Sequence, residues 1–192
     1  MSSLESHPLK PFLPSNAKVL MLGSFPPQQK RWSMEFFYPN FQNDMWRIMG
    51  LLFFADKDIF VDQRAKSFNK EGIIRVLEET GIALYDTAKE VRRLHHNASD
   101  NFLEIVQPTN LEELLQQIPL CKAIATTGEK ATDEIVSRYN IAKPKIGEHT
   151  PLRIGQHELR LYRMPSSSRA YPLPLDKKAV YYNEMFKDLG FL

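Results

Sequence analysis

Residues 17–23, AKVLMLG, carry four consecutive apolar side chains, Val19 to Leu22, between Lys18 and a glycine. A strand with one wet face alternates apolar and polar residues. An unbroken apolar run suits a strand buried on both faces, as in a parallel sheet sandwiched between helices. Two further stretches support this reading. CKAIATTG (121–128) is a second buried strand that runs directly into the helical sequence EKATDEIVSRY. HELRLYRMP (157–165) is a third, with Leu159 and Leu161 alternating against Arg160 and Tyr162. Helical patterns lie between the strands. One is capped by Asn43 or Asp44 and ends near Phe53, and a second spans Ser67 to Thr80 with Gly81 as its stop. Asn110 is expected to cap LEELLQQI, and Asp176 to cap KKAVYYNEMFKDLG. GIALYDTAKEV (81–91) holds a short strand followed by a turn at Asp86 or Thr87. Strands alternating with helices predict a three-layer α/β/α sandwich around a parallel sheet.

The first sixteen residues are rich in proline and serine. Pro8, Pro11 and Pro14 favour an extended arm, which leaves 17–192 as a single domain. No internal repeat or low-complexity tract interrupts it. Of the 192 residues, 43% are hydrophobic, enough for a substantial core. The net charge of +2 excludes a polybasic coat, so nucleic-acid binding would need a local patch. A lone cysteine, Cys121, excludes a disulfide framework, a cysteine-ligated iron–sulfur cluster and a four-cysteine zinc site within the chain. Apolar runs are too short to span a membrane, and the N-terminus lacks a secretory pattern, so a cytoplasmic address is expected.

In parallel α/β sheets, ligands bind beyond the carboxyl ends of the strands. Three loops leave strands at that edge: SFPPQQKRWSMEFFYPNFQN, TTGEKA and MPSSSRAYP. They hold no dinucleotide fingerprint, P-loop or nucleophile elbow. His95 and His96 lack the carboxylate or cysteine spacing of a zinc site and read as an exposed loop. The first loop offers aromatic faces for stacking and amides that could read a base edge or orient a water. The serine loop offers hydroxyls, backbone N–H groups and an arginine for phosphate. Together they suit a nucleotide taken out of a helix. Composition alone leaves open that the rings are core and the serines a turn. Met45 and Trp46 read as core in either case.

The ordered set LGSFPP, FYPNFQNDMWRIMG, GIALYDTAKEVRR, ATTGEKA and MPSSSRAYP resembles the uracil-DNA glycosylase superfamily. It is most similar to the branch of hypoxanthine-DNA glycosylases and, more distantly, to mismatch-specific uracil/thymine glycosylases. The resemblance spans about residues 17–191. It implies a central four-stranded parallel sheet flanked by helices, and hydrolysis of the N-glycosidic bond of a damaged base, uracil or hypoxanthine, without metal or cofactor. The implied partner is DNA with damaged or mismatched bases, and the implied state is a monomer.

Site roles follow from the same resemblance. The first-loop asparagine of the mismatch-specific branch is replaced by Phe25, which cannot hold a water. The hypoxanthine branch carries an asparagine before the tryptophan-bearing helix, and Asn43 fits it, with Asn40 as a rival. Either Asp44 or Glu35 could polarise water as a general base, while the place of Asp44 at a helix start favours a role as a charge that complements the helix dipole. Phe37 or Tyr38 is expected to stack on the base. The backbone N–H groups of Ser24 and Phe25 are expected to face the base or the water. Thr127 stands where some relatives carry asparagine. Ser166, Ser167 and Ser168 correspond to residues that pinch the DNA backbone. Arg169 is the candidate plug for the vacated stack or, alternatively, a phosphate contact, and Lys130 is a further phosphate candidate. Two rivals stay open. One is a catalytically inactive nucleic-acid-binding relative. The other is a small-molecule nucleoside hydrolase, against which a positive ridge of Arg169, Arg153 and Lys130 would argue.

Overall fold

The computed structural model describes residues 4–94 and 103–192, and the His95–His96 pair lies outside them. The main sheet consists of β2 (Val19–Gly23), β5 (Ile82–Asp86), β8 (Ala123–Thr127), β9 (His149–Ile154) and β10 (His157–Met164), in the order β5-β2-β8-β10-β9. β2 pairs in parallel with both β5 and β8, and β8 in parallel with β10. Every residue of β2 and β5 is buried. Because successive side chains point to opposite faces, both faces of the sheet must be covered. Helices supply the cover: α2 (Lys70–Thr80) packs on β5, α4 (Glu129–Tyr139) on β8 and α5 (Leu175–Asp188) on β10, with α1 (Met45–Phe54) against α5. A shorter helix, α3 (Leu111–Gln117), precedes β8. Its cap is Asn110, whose side chain accepts from the Glu113 N–H, as its sequence position implies.

The sheet has five strands, not the expected four. The fifth, β9, runs antiparallel to β10 at the edge. A two-residue turn joins them, with Gly155 at φ 55°. A hairpin with glycine at its first turn position accommodates that backbone. Two boundaries also differ. α2 starts at Lys70, because Asn69 accepts from the Gly72 N–H at 3.0 Å, while Ser67–Phe68 (β4) pairs with Val61–Asp62 (β3). α5 starts at Leu175 behind Pro174, so Asp176 sits in its first turn as a favourable charge rather than as the cap. The alternation in β10 holds, with Arg160 and Tyr162 both reaching Asp188 of α5, but their face is covered as well: Tyr162 is 2% exposed.

A second, antiparallel sheet joins β1 (Leu4–Ser6), β6 (Ala88–Arg93) and β7 (Leu103–Pro108) in the order β1-β6-β7. Through β1, the proline-rich N-terminal segment lies along the domain. Further on, Phe12 exchanges two backbone hydrogen bonds with Leu84, on the outer edge of β5. At the opposite edge, Pro151 of β9 stands across from Arg160. No helix among the described residues is long and apolar enough to cross a membrane.

Cys121 is 5% exposed, and its Sγ donates to the Ala123 carbonyl at 3.2 Å. Burial pushes its thiol from 9.0 up to about 11. The native thiol should therefore resist iodoacetamide at pH 8 and react only after unfolding in guanidinium, as read by intact mass. The linkage has a definite sign: the unfolded thiol loses its proton near pH 9 while the folded one keeps it, so this residue's effect is to lower stability as pH rises from about 9 to about 11. Rapid alkylation of folded protein would contradict this placement.

Candidate functional site

Parallel pairing brings four strand ends to one edge. Gly23 at the end of β2 lies opposite Asp86 at the end of β5, and Thr127 of β8 lies opposite Met164 of β10. Gly23 is needed here: a Cβ would collide with Asp86 Oδ1 and come within 3.9 Å of the Thr127 hydroxyl. The Thr127 hydroxyl lies 3.4 Å from the Leu22 carbonyl and shares a hydrogen bond of 2.9 Å with the Tyr38 hydroxyl. Tyr38 has φ 48°, an uncommon backbone for a non-glycine residue. Burial raises its phenol above the usual tyrosine range, and the Asp86 charge adds to this. The phenol therefore stays neutral at physiological pH. Gly128 donates its N–H to the Met164 carbonyl at 3.2 Å, beside Ser166.

The ring-rich segment divides into core and edge. Phe36 and Phe37 are 7% and 4% exposed. Phe37 packs edge-on to Phe36 and Tyr85, and its carbonyl accepts from the Trp46 indole at 3.1 Å. Met45 and Trp46 are core, as the sequence suggests. Of the two rings expected to stack on a base, Tyr38 is the half-buried one. Phe25 points its side chain into a small cluster with Ala88, Val91 and Leu103. Ser24, next to it, is 8% exposed.

The serine loop meets this segment. Asn43 and Ser168 form an antiparallel bridge, and the Asp44 N–H donates to the Ser167 carbonyl at 2.8 Å. The Asp44 carboxylate is clamped: Oδ1 accepts from Arg169 Nε and Oδ2 from Lys178 Nζ, both at 3.0 Å. Lys178 is fully buried and also donates to the Ser168 carbonyl at 2.7 Å. Asn43 Oδ1 accepts from the Met45 N–H at 2.9 Å, closing a turn just ahead of α1, whose cap residue is Asp44, whereas Asn40 closes a local turn onto Gln42. Beside this junction opens a cleft of about 610 Å³ lined by Phe41, Asp44, Arg47, Lys57, Arg169 and Lys178, among others. Four cations face two carboxylates there, Asp44 and Asp58. Burial, and then the Arg169 charge, lower the Arg47 guanidinium from its usual range.

Lys130 lies half-buried in the first turn of α4, close behind Thr127 in the chain, and Glu35 is exposed. Arg153 is not near them. It pairs opposite Glu158 at the start of β10, at the amino edge of the sheet. A residue pair absent from the sequence reading stands at the carboxyl edge instead. His7 Nε2 lies 2.8 Å from Asp86 Oδ2. Asp86 could have been suspected from its position at the end of IALYD. His7 sits in a proline-rich segment with no local pattern to mark it.

Neither a family model nor a curated protein matches the chain. Among solved structures, the chain is similar to the solution NMR structure of a protein of Methanosarcina acetivorans provisionally named a uracil DNA glycosylase. The TM-score is 0.65 and the identity 18%, over 97% of this chain and 99% of that one. At this identity the two share a fold.

Lys178→Met would leave the buried Asp44 carboxylate with a single, half-exposed cationic partner. Its expected cost is about 3 kcal/mol of stability in urea unfolding, the scale of breaking a buried ion pair. A change under about 0.5 kcal/mol would mean that the clamp does not hold the two loops together.

Proposed function

We propose that the protein is a monofunctional DNA glycosylase that takes a deaminated base, uracil or hypoxanthine, out of the stack and hydrolyses its N-glycosidic bond. One observation carries this reading. The half-buried Tyr38 ring and the Thr127 hydroxyl meet over Gly23 at the sheet's carboxyl edge, and a serine loop bridged to Asn43 ties that edge to a cationic cleft. Base hydrolysis needs donors around a leaving base, and a polyanion needs cations beside it. The shared fold with the Methanosarcina protein agrees with it.

In this reading Tyr38 stacks on the base or caps it, and Thr127 with the Ser24 and Phe25 backbone binds its edge. A threonine offers one hydroxyl where an amide offers two sides, which shapes base choice. Asn43 spends its side-chain oxygen on the Met45 N–H and keeps its amide N–H groups for the reacting centre. Asp44 acts through its two cations, positioning the serine loop rather than taking a proton. Ser166, Ser167, Ser168 and Lys130 contact the DNA backbone. Arg169 is tied to Asp44 through Nε, which favours a phosphate contact by its terminal nitrogens over insertion into the stack.

The inward side chain of Phe25 favours a second reading, a nucleic-acid-binding relative that lacks hydrolysis. One assay separates the two. Labelled oligonucleotides carrying uracil or hypoxanthine, incubated with the protein and then treated with alkali, should break at the damaged base. Absence of breakage with retained binding would establish the second reading.

Asn43→Ala is expected to slow base release by about 10²-fold, the scale of losing one preorganised polar group. Arg169→Ala should weaken duplex binding and reduce the slope of log K against log salt by about one, as for one lost phosphate contact. An unchanged slope would remove Arg169 from the DNA contact.

A further inference from the structure

Hydrolysis at C1′ of a deoxyribose needs a group that takes a proton from water, and Phe25 occupies the first-loop position where an amide could have held that water. Each oxygen of Asp44 is already engaged by a cation, Arg169 on one and Lys178 on the other. Another carboxylate stands at the same edge. Asp86 closes β5, opposite Gly23, and its Oδ1 fills the space that a Cβ at Gly23 would need. No described residue donates a hydrogen bond to that oxygen, and the side chain keeps about 10% of its surface accessible. Its charge reaches the Tyr38 phenol and the Tyr85 phenol.

The other oxygen, Oδ2, is fixed by His7. The His7 side chain is 1% exposed and is held by three rings: Tyr85 at 4.5 Å, Phe25 at 5.3 Å and Phe37 at 6.2 Å between centroids. Its Nδ1 lies 3.1 Å from the Leu9 N–H and 2.9 Å from the Leu9 carbonyl. If Leu9 N–H donates, the neutral ring carries its proton on Nε2. If the ring is charged, both nitrogens donate, Nδ1 to the Leu9 carbonyl. In either state an Nε2–H points at Asp86, so the carboxylate keeps its orientation. The buried rings of the aromatic loop thereby acquire a purpose: they hold an imidazole supplied by the N-terminal segment.

We infer that Asp86 is the carboxylate that takes the proton of the attacking water, and that His7 is the residue that positions it. The inference rests on the glycosylase reading above. The water oxygen bonds to C1′ as the C1′–N bond breaks, and the bonding pair leaves with the base nitrogen. The water proton passes to Asp86 Oδ1 and then to solvent, and solvent protonates the departing base.

The test is the single-turnover rate of base release from whichever damaged oligonucleotide the wild-type protein cleaves. It is paired with affinity for an uncleavable 2′-fluoro analogue and with thermal melting. Asp86→Asn keeps shape and should slow release by about 10²-fold or more, with affinity and melting temperature unchanged. His7→Leu should lose at least about tenfold, and His7→Gln, which keeps an N–H donor, should recover most of it. Asp86→Asn within about threefold of wild type would overturn the inference and leave the glycosylase reading standing. So would a loss of rate matched by an equal loss of affinity, the mark of a structural role. A wild-type protein that binds the oligonucleotides and releases no base overturns both.

Discussion

One buried carboxylate holds two distant parts of the chain together. Asp44 begins α1, and Arg169 and Lys178 reach it from the serine loop and from α5. Two buried charges cost desolvation energy that their attraction repays only in good geometry. Here the remaining valences are filled: Lys178 also donates to the Ser168 carbonyl, and the Asp44 N–H donates to Ser167. The gain is one of register. An apolar contact could let the serine loop slide along α1, whereas this arrangement admits a single alignment, the one in which Asn43 and Ser168 bridge. The edge of the sheet and the cationic cleft are neighbours because of it.

At the sheet itself, the decisive residue is one without a side chain. Gly23 ends the first parallel strand between two polar groups, Asp86 on one neighbour and Thr127 on the other. A methyl group there would push the carboxylate away. The Gly23 carbonyl at the same strand end accepts from the Thr87 N–H, which fixes where β5 stops and β6 begins. Sheet geometry and site geometry are therefore set by the same few atoms.

The buried strands were legible because consecutive apolar residues have few alternatives: AKVLMLG and CKAIATTG became β2 and β8. The helix cap at Asn110 and the core placement of Met45 and Trp46 followed from local chemistry. Local chemistry could not show β9, whose HTPLRI is polar and broken by a proline, although the glycine two-residue turn behind it was a signal. It also could not separate Phe37 from Tyr38. Adjacent rings look alike in sequence, and only the left-handed backbone at Tyr38 sends one inward and the other to the edge. His7 and Asp86 are 79 residues apart, and no spacing rule connects them. What joins them is the pairing of β1 with β6, a long-range event.

The two borders of the main sheet are handled differently, with one outcome. At β5 the backbone of Phe12 occupies hydrogen-bonding groups of Leu84. At β9, Arg160 directs its N–H toward β8, donating to Lys122, so the facing Pro151 turns its nitrogen to the outer side, where it has no hydrogen to offer. A proline on the free border interrupts the row of donors that a foreign strand would need. Each border of the main sheet thus carries a device that works against its extension by a further strand.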